Sequence, residues 1–445
     1  MIERSEEGDV PEGTPRGNLL VLGLVAMVGG AGAGLIGALF RLALEDADRL
    51  RGELIGWAHG WAIGGFALLS VVIMLGAALA AWMVRRFAPH AAGSGIPQVE
   101  AELDRRLPPP PVHLIAVKFV GGVLAIGSGL ALGREGPTIQ MGASISYQMG
   151  RWLKRNWEDC RVLLAAGAGA GLATAFNAPI AGAVFVLEEL VKRFEARTTI
   201  AALSASAAAI AVEQLILGDQ PDFFVRRLAY PGIAHEPLYL LIGVCAGFAG
   251  ILYNWTLVWG LNTTDRFAFV PVELRAAVVG AAIAVVAWFA PAMVGGGDPL
   301  TQRALDGVGV LAMLPFLYLL RLVLISGSYA ARTPGGLFAP LLVLGAVLGL
   351  WFGKLCALAF PGMAIQPVAF ALVGMAALFT AIVRAPVTGI VLVTEMTANV
   401  SMLLPMIVAC FAAMLVPTLF GDQPIYDVLR ERLVPRQSIA AGETD

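Results

Sequence analysis

Gly133-Arg134-Glu135-Gly136-Pro137 sets a guanidinium and a carboxylate directly after an apolar run, Leu114 to Leu132. A charge at bilayer depth costs several kcal/mol unless it is paired, solvated or functional. Two glycines and a proline flank this one, so the backbone is broken beside the charge. Irregular backbone inside a membrane persists only where protein buries it or where it lines a cavity. The stretch therefore predicts a broken membrane helix beside an ion pathway.

The rest of the chain agrees. Its 445 residues are 58% hydrophobic and 14% charged, with mean hydropathy +0.78, the composition of an integral membrane protein. Long apolar helices are expected near 19–43, 61–84, 112–131, 197–217, 237–260, 273–292, 310–330 and 401–420. Shorter apolar pieces lie at 97–104, 135–152, 162–176, 178–191, 337–358, 367–382 and 385–398. Several of these are too short, or too interrupted by Gly and Pro, to cross ~30 Å of hydrocarbon alone. The fold class is thus an all-α membrane protein with tilted, broken and re-entrant helices. Ten-residue alternating strands, the mark of a membrane barrel, do not occur.

Residues 1–18 are expected to form a disordered cytoplasmic tail. Residues 19–433 form the transmembrane domain, in halves at about 19–217 and 237–433, and 434–445 a short cytoplasmic tail. No basic region with a cleavage site precedes Leu19, so the first helix reads as retained. Arg85, Arg86, Arg105, Arg106, Arg151, Lys154, Arg155, Arg430 and Arg432 cluster in short connections. The positive-inside rule puts those connections, and both termini, in the cytoplasm of a multi-pass inner-membrane protein. The mixed-charge stretch 44–58 is expected to be an outward-facing loop, and Pro108 to Pro111 a stiff spacer. The four cysteines are far apart and the four histidines do not pair at ligand spacing. Neither a disulfide framework nor a metal or other cofactor is predicted. The net charge of −2 suggests no nucleic-acid partner.

An internal repeat is visible. GAGAGLATAFNAPIAGAVFVLEE at 167–189 aligns without gaps on GMAALFTAIVRAPVTGIVLVTEM at 374–396. A weaker pair precedes it, Pro137 to Gly142 against Pro340 to Gly345. Two halves built from one unit, each with broken helices, is the transporter pattern whose site lies where the halves meet. Small-residue helix packing is the plainer account of such similarity.

Three Gly/Pro-rich breaks each precede a helix: Gly93-Ser94-Gly95-Ile96-Pro97, then 133–137, then Gly335-Gly336-Leu337-Phe338-Ala339-Pro340. Helix N-termini present free N–H groups and the positive end of the helix dipole. Three converging at mid-membrane would bind an anion through partial charges and release it readily. Ser94 adds a hydroxyl donor. Each break taken singly is also an ordinary helix-breaking turn. Glu135 at such a start can occupy the anion site itself and leave it on protonation, as gate and proton carrier in one; alternatively it stabilises its own helix. Glu188 and Glu189 point about 100° apart on a helix, so at most one need face a pathway. Glu395 is the repeat counterpart of Glu188. Glu189 faces Met396 in the alignment and is the asymmetric acid. Lys118, Arg321, Arg332 and Arg384 are candidates to balance these acids, or to snorkel.

By GSGIP at 93–97, GREGP at 133–137, GGLFAP at 335–340 and Tyr426 in QPIY, the chain resembles the CLC chloride channel/transporter family, of the bacterial type, from about residue 19 to 433. The resemblance implies two inverted halves around a central anion site and a homodimer with one pore per subunit. It implies chloride coordination by Ser94 and Tyr426 and by the amides of Leu337 and Phe338. Gly93, Gly95, Pro97, Arg134, Gly136 and Pro137 would shape the site. Glu135 would be the external gate and Glu189, with Glu188 beside it, the internal proton-transfer position. An acid at 189 favours chloride/proton exchange across the bilayer over a passive voltage- or pH-gated chloride channel. An intramembrane enzyme using Glu188 and Glu189 is the remaining alternative, and no nucleophile–base pair supports it. Serine in the first motif is similar to the chloride-preferring branch. Two positions depart: Gln98 stands where bacterial exchangers often carry Glu, and Arg332 stands where small residues are common, either to pair with an acid or to alter conduction near the external mouth. The family's cytoplasmic nucleotide-sensing domains are not expected.

Overall fold

The computed structural model describes residues 18–219 and 221–433; the two predicted tails, apart from Asn18, lie outside this range. The first half contains α1 (Leu19–His59), α2 (Ala62–Phe87), α3 (Ile96–Leu103), α4 (His113–Gly127), α5 (Glu135–Trp152), α6 (Trp157–Phe176), α7 (Pro179–Phe185) and α8 (Ala196–Leu217). The second contains α9 (Glu236–Arg266), α10 (Val272–Phe289), α11 (Asp298–Leu305), α12 (Leu314–Ala330), α13 (Phe338–Ala359), α14 (Pro367–Val383), α15 (Pro386–Thr397), α16 (Leu403–Leu419) and α17 (Ile425–Leu433). Among the described residues, eight helices are long and apolar enough to cross a membrane. Most of the others are shorter, α7 with 7 residues and α3 and α11 with 8 each among them, as the broken-helix reading expects.

The halves repeat in three dimensions. In the first, α6 ends at Asn177 in a left-handed conformation (φ 46°) and Ala178-Pro179 starts α7. In the second, α14 ends at left-handed Arg384 (φ 70°) and Ala385-Pro386 starts α15. Gly142 of α5 packs on the Gly167 carbonyl of α6, and their counterparts Gly345 and Gly374 make the same contact between α13 and α14. A methyl group at any of these four positions would strike backbone, so the close crossing rests on glycine. The orientation is inverted. Helix α5 starts in the interior and runs to the basic connections at Arg151, whereas α13 runs to the opposite face.

The basic connections do share one face: Arg105 stacks on Trp157, Arg430 approaches Asp104, and Arg332 and Arg432 both bond Asp265. Several boundaries differ from expectation by a few residues, and two differences have a clear local cause. The stretch 44–58 is not a loop, because α1 continues to His59 with Asp46–Arg49 and Asp48–Arg51 pairs one turn apart. Such pairing lets a polar segment stay helical beyond the bilayer. Helix α6 begins earlier than 162, at Trp157, because the Asn156 side chain accepts the Asp159 amide at 2.8 Å and two acids occupy the first turn.

Candidate functional site

The three sequence breaks are laced together by backbone hydrogen bonds. Gly93 donates to Thr333 O (3.0 Å) and accepts from Gly335 N (3.1 Å). Gly133 N donates to Gly336 O (2.9 Å) and Gly336 N returns to Gly133 O (2.7 Å). Gly133 and Gly336 are repeat counterparts, so this reciprocal pair marks where the two halves mirror each other. The N-termini of α3, α5 and α13 thereby converge. Their first intrahelical bonds are Val99 N to Gly95 O, Thr138 N to Arg134 O and Leu341 N to Leu337 O. The amides before those donors have no helical acceptor and remain for a ligand.

Glu135 sits in this junction, wholly buried. Its carboxylate is wedged against Gly133 and Gly336, where any side chain would collide with it. Its oxygens meet no donor at hydrogen-bond geometry, yet lie within electrostatic reach of the Phe338 and Ala339 amides. Ser94 lies next to Gly136, again at a distance only glycine permits. Ser94 Oγ and Tyr426 Oη are fully buried and have no protein partner. A buried hydroxyl without a partner is costly, so these hydroxyls, with the helix-start amides beside Phe338, whose ring is 5.8 Å from that of Tyr426, form a candidate polar site. Its donors carry no formal charge, which suits weak, reversible anion binding.

Glu188 and Glu189 part company, as adjacent helical residues must. The turn that carries them, Val186–Leu190, is a π-helical extension of α7. Glu188 caps α15, accepting from Val387 N (3.0 Å), Thr388 N (2.6 Å) and Thr388 Oγ1 (2.7 Å). Glu395 does the same for α7, accepting from Ile180 N (3.1 Å) and Ala181 N (2.7 Å). The repeat-related acids are thus structural equivalents, each holding the other half's helix. Glu189 is buried, with Oε1 unpartnered. It lies within electrostatic range of Glu100, Lys192 and Asp427, and Asp427 adjoins Tyr426 and pairs with Lys192 at 3.2 Å.

The cations behave differently from expectation. Lys118 and Arg321 neither snorkel nor hydrogen-bond an acid. Buried Lys118 donates to Ala91 O (3.1 Å) and Gly93 O (2.8 Å), and buried Arg321 to Met293 O (2.8 Å), Gly295 O (3.0 Å) and Gly296 O (3.0 Å). Each pins a glycine loop ahead of a short helix. The loop held by Arg321, Gly295-Gly296-Gly297-Asp298-Pro299, is the counterpart of GSGIP, with matching left-handed glycines (Gly93 67°, Gly95 99°; Gly295 75°, Gly297 100°). Its glycine–proline spacing was the signal in the sequence. Arg134 points away from Glu135, to Ala175 O (2.9 Å) and Asp222 (3.0 Å), and Asp222 also bonds Arg41 (2.8 Å). Arg384 pairs with Asp422 at 3.3 Å. Of the two alternatives for Arg332 the structure shows pairing with an acid, Asp265 at 2.6 Å, on the basic face beside Arg432 and not at the external mouth. Tyr329, whose Oη accepts from Ser94 N at 3.5 Å, and Asp222 were not singled out from sequence. Nothing in their local pattern marks them, since only the tertiary fold brings them to the site.

The fold and site define a multi-pass membrane protein of two inverted repeats that encloses a buried junction of helix N-termini. Residues 76–418 match the family model described as voltage gated chloride channel, and the chain belongs to that family. It is 36% identical over 423 residues to the H(+)/Cl(−) exchange transporter ClcA of Vibrio cholerae serotype O1 (strain M66-2), covering 92% of this chain and 88% of the relative. It is 38% identical over 430 residues to ClcA of Cronobacter sakazakii, covering 94% and 91%. Among solved structures it resembles a slow cyanobacterial Cl−/H+ antiporter with TM-score 0.89 and 31% identity, over 95% of this chain and all of that one (100%). A eukaryotic CLC transporter shares the fold at TM-score 0.79 and 22% identity, over 93% of this chain and 74% of that one.

Proposed function

We propose that the chain is a chloride/proton antiporter. Chloride enters from the basic face, taken as cytoplasmic, past Ser94 and Tyr426, and binds at the converging amide ends. The Glu135 carboxylate competes for the same amides. Protonation removes its negative charge and its claim on them, which opens the path toward the opposite face. The proton reaches Glu135 from the cytoplasm by way of Glu189, on a route separate from the anion's. One observation carries the reading: a buried carboxylate, enclosed by glycines, faces the free amides of a second helix. The Vibrio and Cronobacter relatives are H(+)/Cl(−) exchange transporters by name, and the cyanobacterial protein is a Cl−/H+ antiporter, so likeness to them supports the same exchange here. A passive chloride channel is the second reading, and the acid at position 189 weighs against it.

Two further elements belong to the proposal. The ends of α1 at Leu19 and of α17 at Leu433 are taken as cytoplasmic. The protein is taken as a homodimer with one pore per subunit. Support comes from α7 and α15, of 7 and 12 residues, which are too short to face ~30 Å of lipid unaided. Their capping acids Glu188 and Glu395 are only partly covered within one chain, and a second copy would shield them.

The test is proton flux in proteoliposomes under a chloride gradient. Wild type is expected to drive protons against their own gradient, and Glu135→Gln to pass chloride with no coupled protons. Full coupling in Glu135→Gln would refute the gating role. Chloride flux without protons in wild type would make the protein a channel.

A further inference from the structure

On the basic face a cavity of about 180 Å³ opens toward the first motif, lined by Gly93, Pro97, Gln98, Tyr329, Arg332 and Arg432 among others. Tyr329 at its wall accepts the Ser94 amide, so the cavity adjoins the anion junction. Gln98 contributes no charge there, its side-chain amide donating to Ala92 O at 2.8 Å. Among the described residues, the charged groups lining the mouth are two guanidinium groups and one carboxylate. Asp265 at the end of α9 gives one oxygen to Arg332 and the other to Arg432, each at 2.6 Å. Arg432 also donates to Asn262 at 2.7 Å. Arg332, Asp265 and Arg432 side chains are 51%, 42% and 30% exposed, so the cluster is open to solvent and to ions.

Arg332 stands at a costly position. It follows α12 in the left-handed region, φ 56°, where its repeat counterpart is Gly129, φ 95°. That place after a helix favours glycine, and an arginine there gains nothing for the backbone. Backbone strain at such a site points to a role for the side chain, and this one reaches over the cavity mouth.

We propose that Arg332 and Arg432, bridged by Asp265, form an anion-recruiting site for small inorganic anions at the entrance of the path. Among the described residues, two guanidinium groups against one carboxylate leave the mouth net positive, which raises the local anion concentration. The Asp265 carboxylate occupies the place between the guanidinium groups that an anion would take. It thus keeps the site weak, so an arriving chloride passes inward instead of staying. The inference rests on the path being a chloride path and is independent of whether protons are coupled.

The experiment measures initial chloride flux in vesicles enriched for one orientation, with chloride varied on the basic face alone. Arg332→Gly suits the backbone and is expected to fold as wild type. It should raise half-saturating chloride about threefold, the size expected for one solvent-screened charge removed a few ångströms from the ion. Maximal rate and proton coupling should hold. Arg332→Lys should restore most of the affinity, and Asp265→Asn should lower half-saturating chloride below wild type. All differences should shrink at high concentrations of an impermeant salt. Equal half-saturation in all variants would overturn the proposal. So would a fall in maximal rate alone in Arg332→Gly and Asp265→Asn, because that marks a tether for α17 and not an anion site. Wild-type flux without proton coupling would overturn exchange and leave this reading intact.

Discussion

Replacing Glu188 with alanine removes one of the two carboxylate clasps, Glu188 and Glu395, between the repeats. The carboxylate accepts two backbone N–H groups and a hydroxyl at the start of α15, at 3.0, 2.6 and 2.7 Å. Hydrogen bonds to a charged group are each worth roughly 1.5–3 kcal/mol when broken, and losing a helix cap costs about 0.5–2 kcal/mol. These contributions overlap, and the site is partly covered, so the net loss is about 3 kcal/mol. Glu395→Ala breaks only two bonds, to Ile180 N and Ala181 N, and should cost about 2 kcal/mol. Thr388→Val, which removes the hydroxyl bond alone, should cost about 1 kcal/mol. Thermal unfolding of the purified protein in detergent, followed by loss of the monodisperse species, reads the order: Glu188→Ala lowest, then Glu395→Ala, then Thr388→Val. A double-mutant cycle between Glu188 and Thr388 should show coupling of about 1 kcal/mol. Glu188 also anchors the π-turn that carries Glu189. Glu188→Ala should therefore reduce the proton-to-chloride ratio more than Glu395→Ala does. An unchanged melting temperature in Glu188→Ala, or a larger loss in Glu395→Ala, would refute the clasp.

Three other outcomes are expected. Glu189→Gln should keep chloride flux and abolish coupled protons; unaltered proton flux in vesicles would remove Glu189 from the route. Ser94→Pro should raise nitrate flux relative to chloride, and an unchanged selectivity ratio in anion-substitution experiments would exclude Ser94 as a ligand. Lys118→Met should destabilise the protein by about 2 kcal/mol through the loss of two buried donors to the Ala91 and Gly93 carbonyls. It should also weaken chloride affinity, because Gly93 precedes Ser94; wild-type melting and affinity together would show that the loop holds without it.

Local patterns along the chain were enough to read its class and its broken helix starts. Composition and broken apolar runs require a membrane protein with interrupted helices. The gapless repeat around Ala178-Pro179 and Ala385-Pro386 marks two related halves. Glycine and proline at 93–97, 133–137 and 335–340 mark helix starts, because those residues act through the local backbone, which a sequence shows directly. What an individual charge does follows from the folded arrangement. Lys118 and Arg321 satisfy carbonyls of loops distant in sequence, Arg134 turns to Asp222, and Arg332 meets Arg432 across Asp265. The adjacent Glu188 and Glu189 have separate environments because a π-turn aims one at α15 and leaves the other buried near Asp427. A charged side chain is long and its interaction acts through space, so its partner is fixed by which helices the fold places beside it, and no local pattern carries that information.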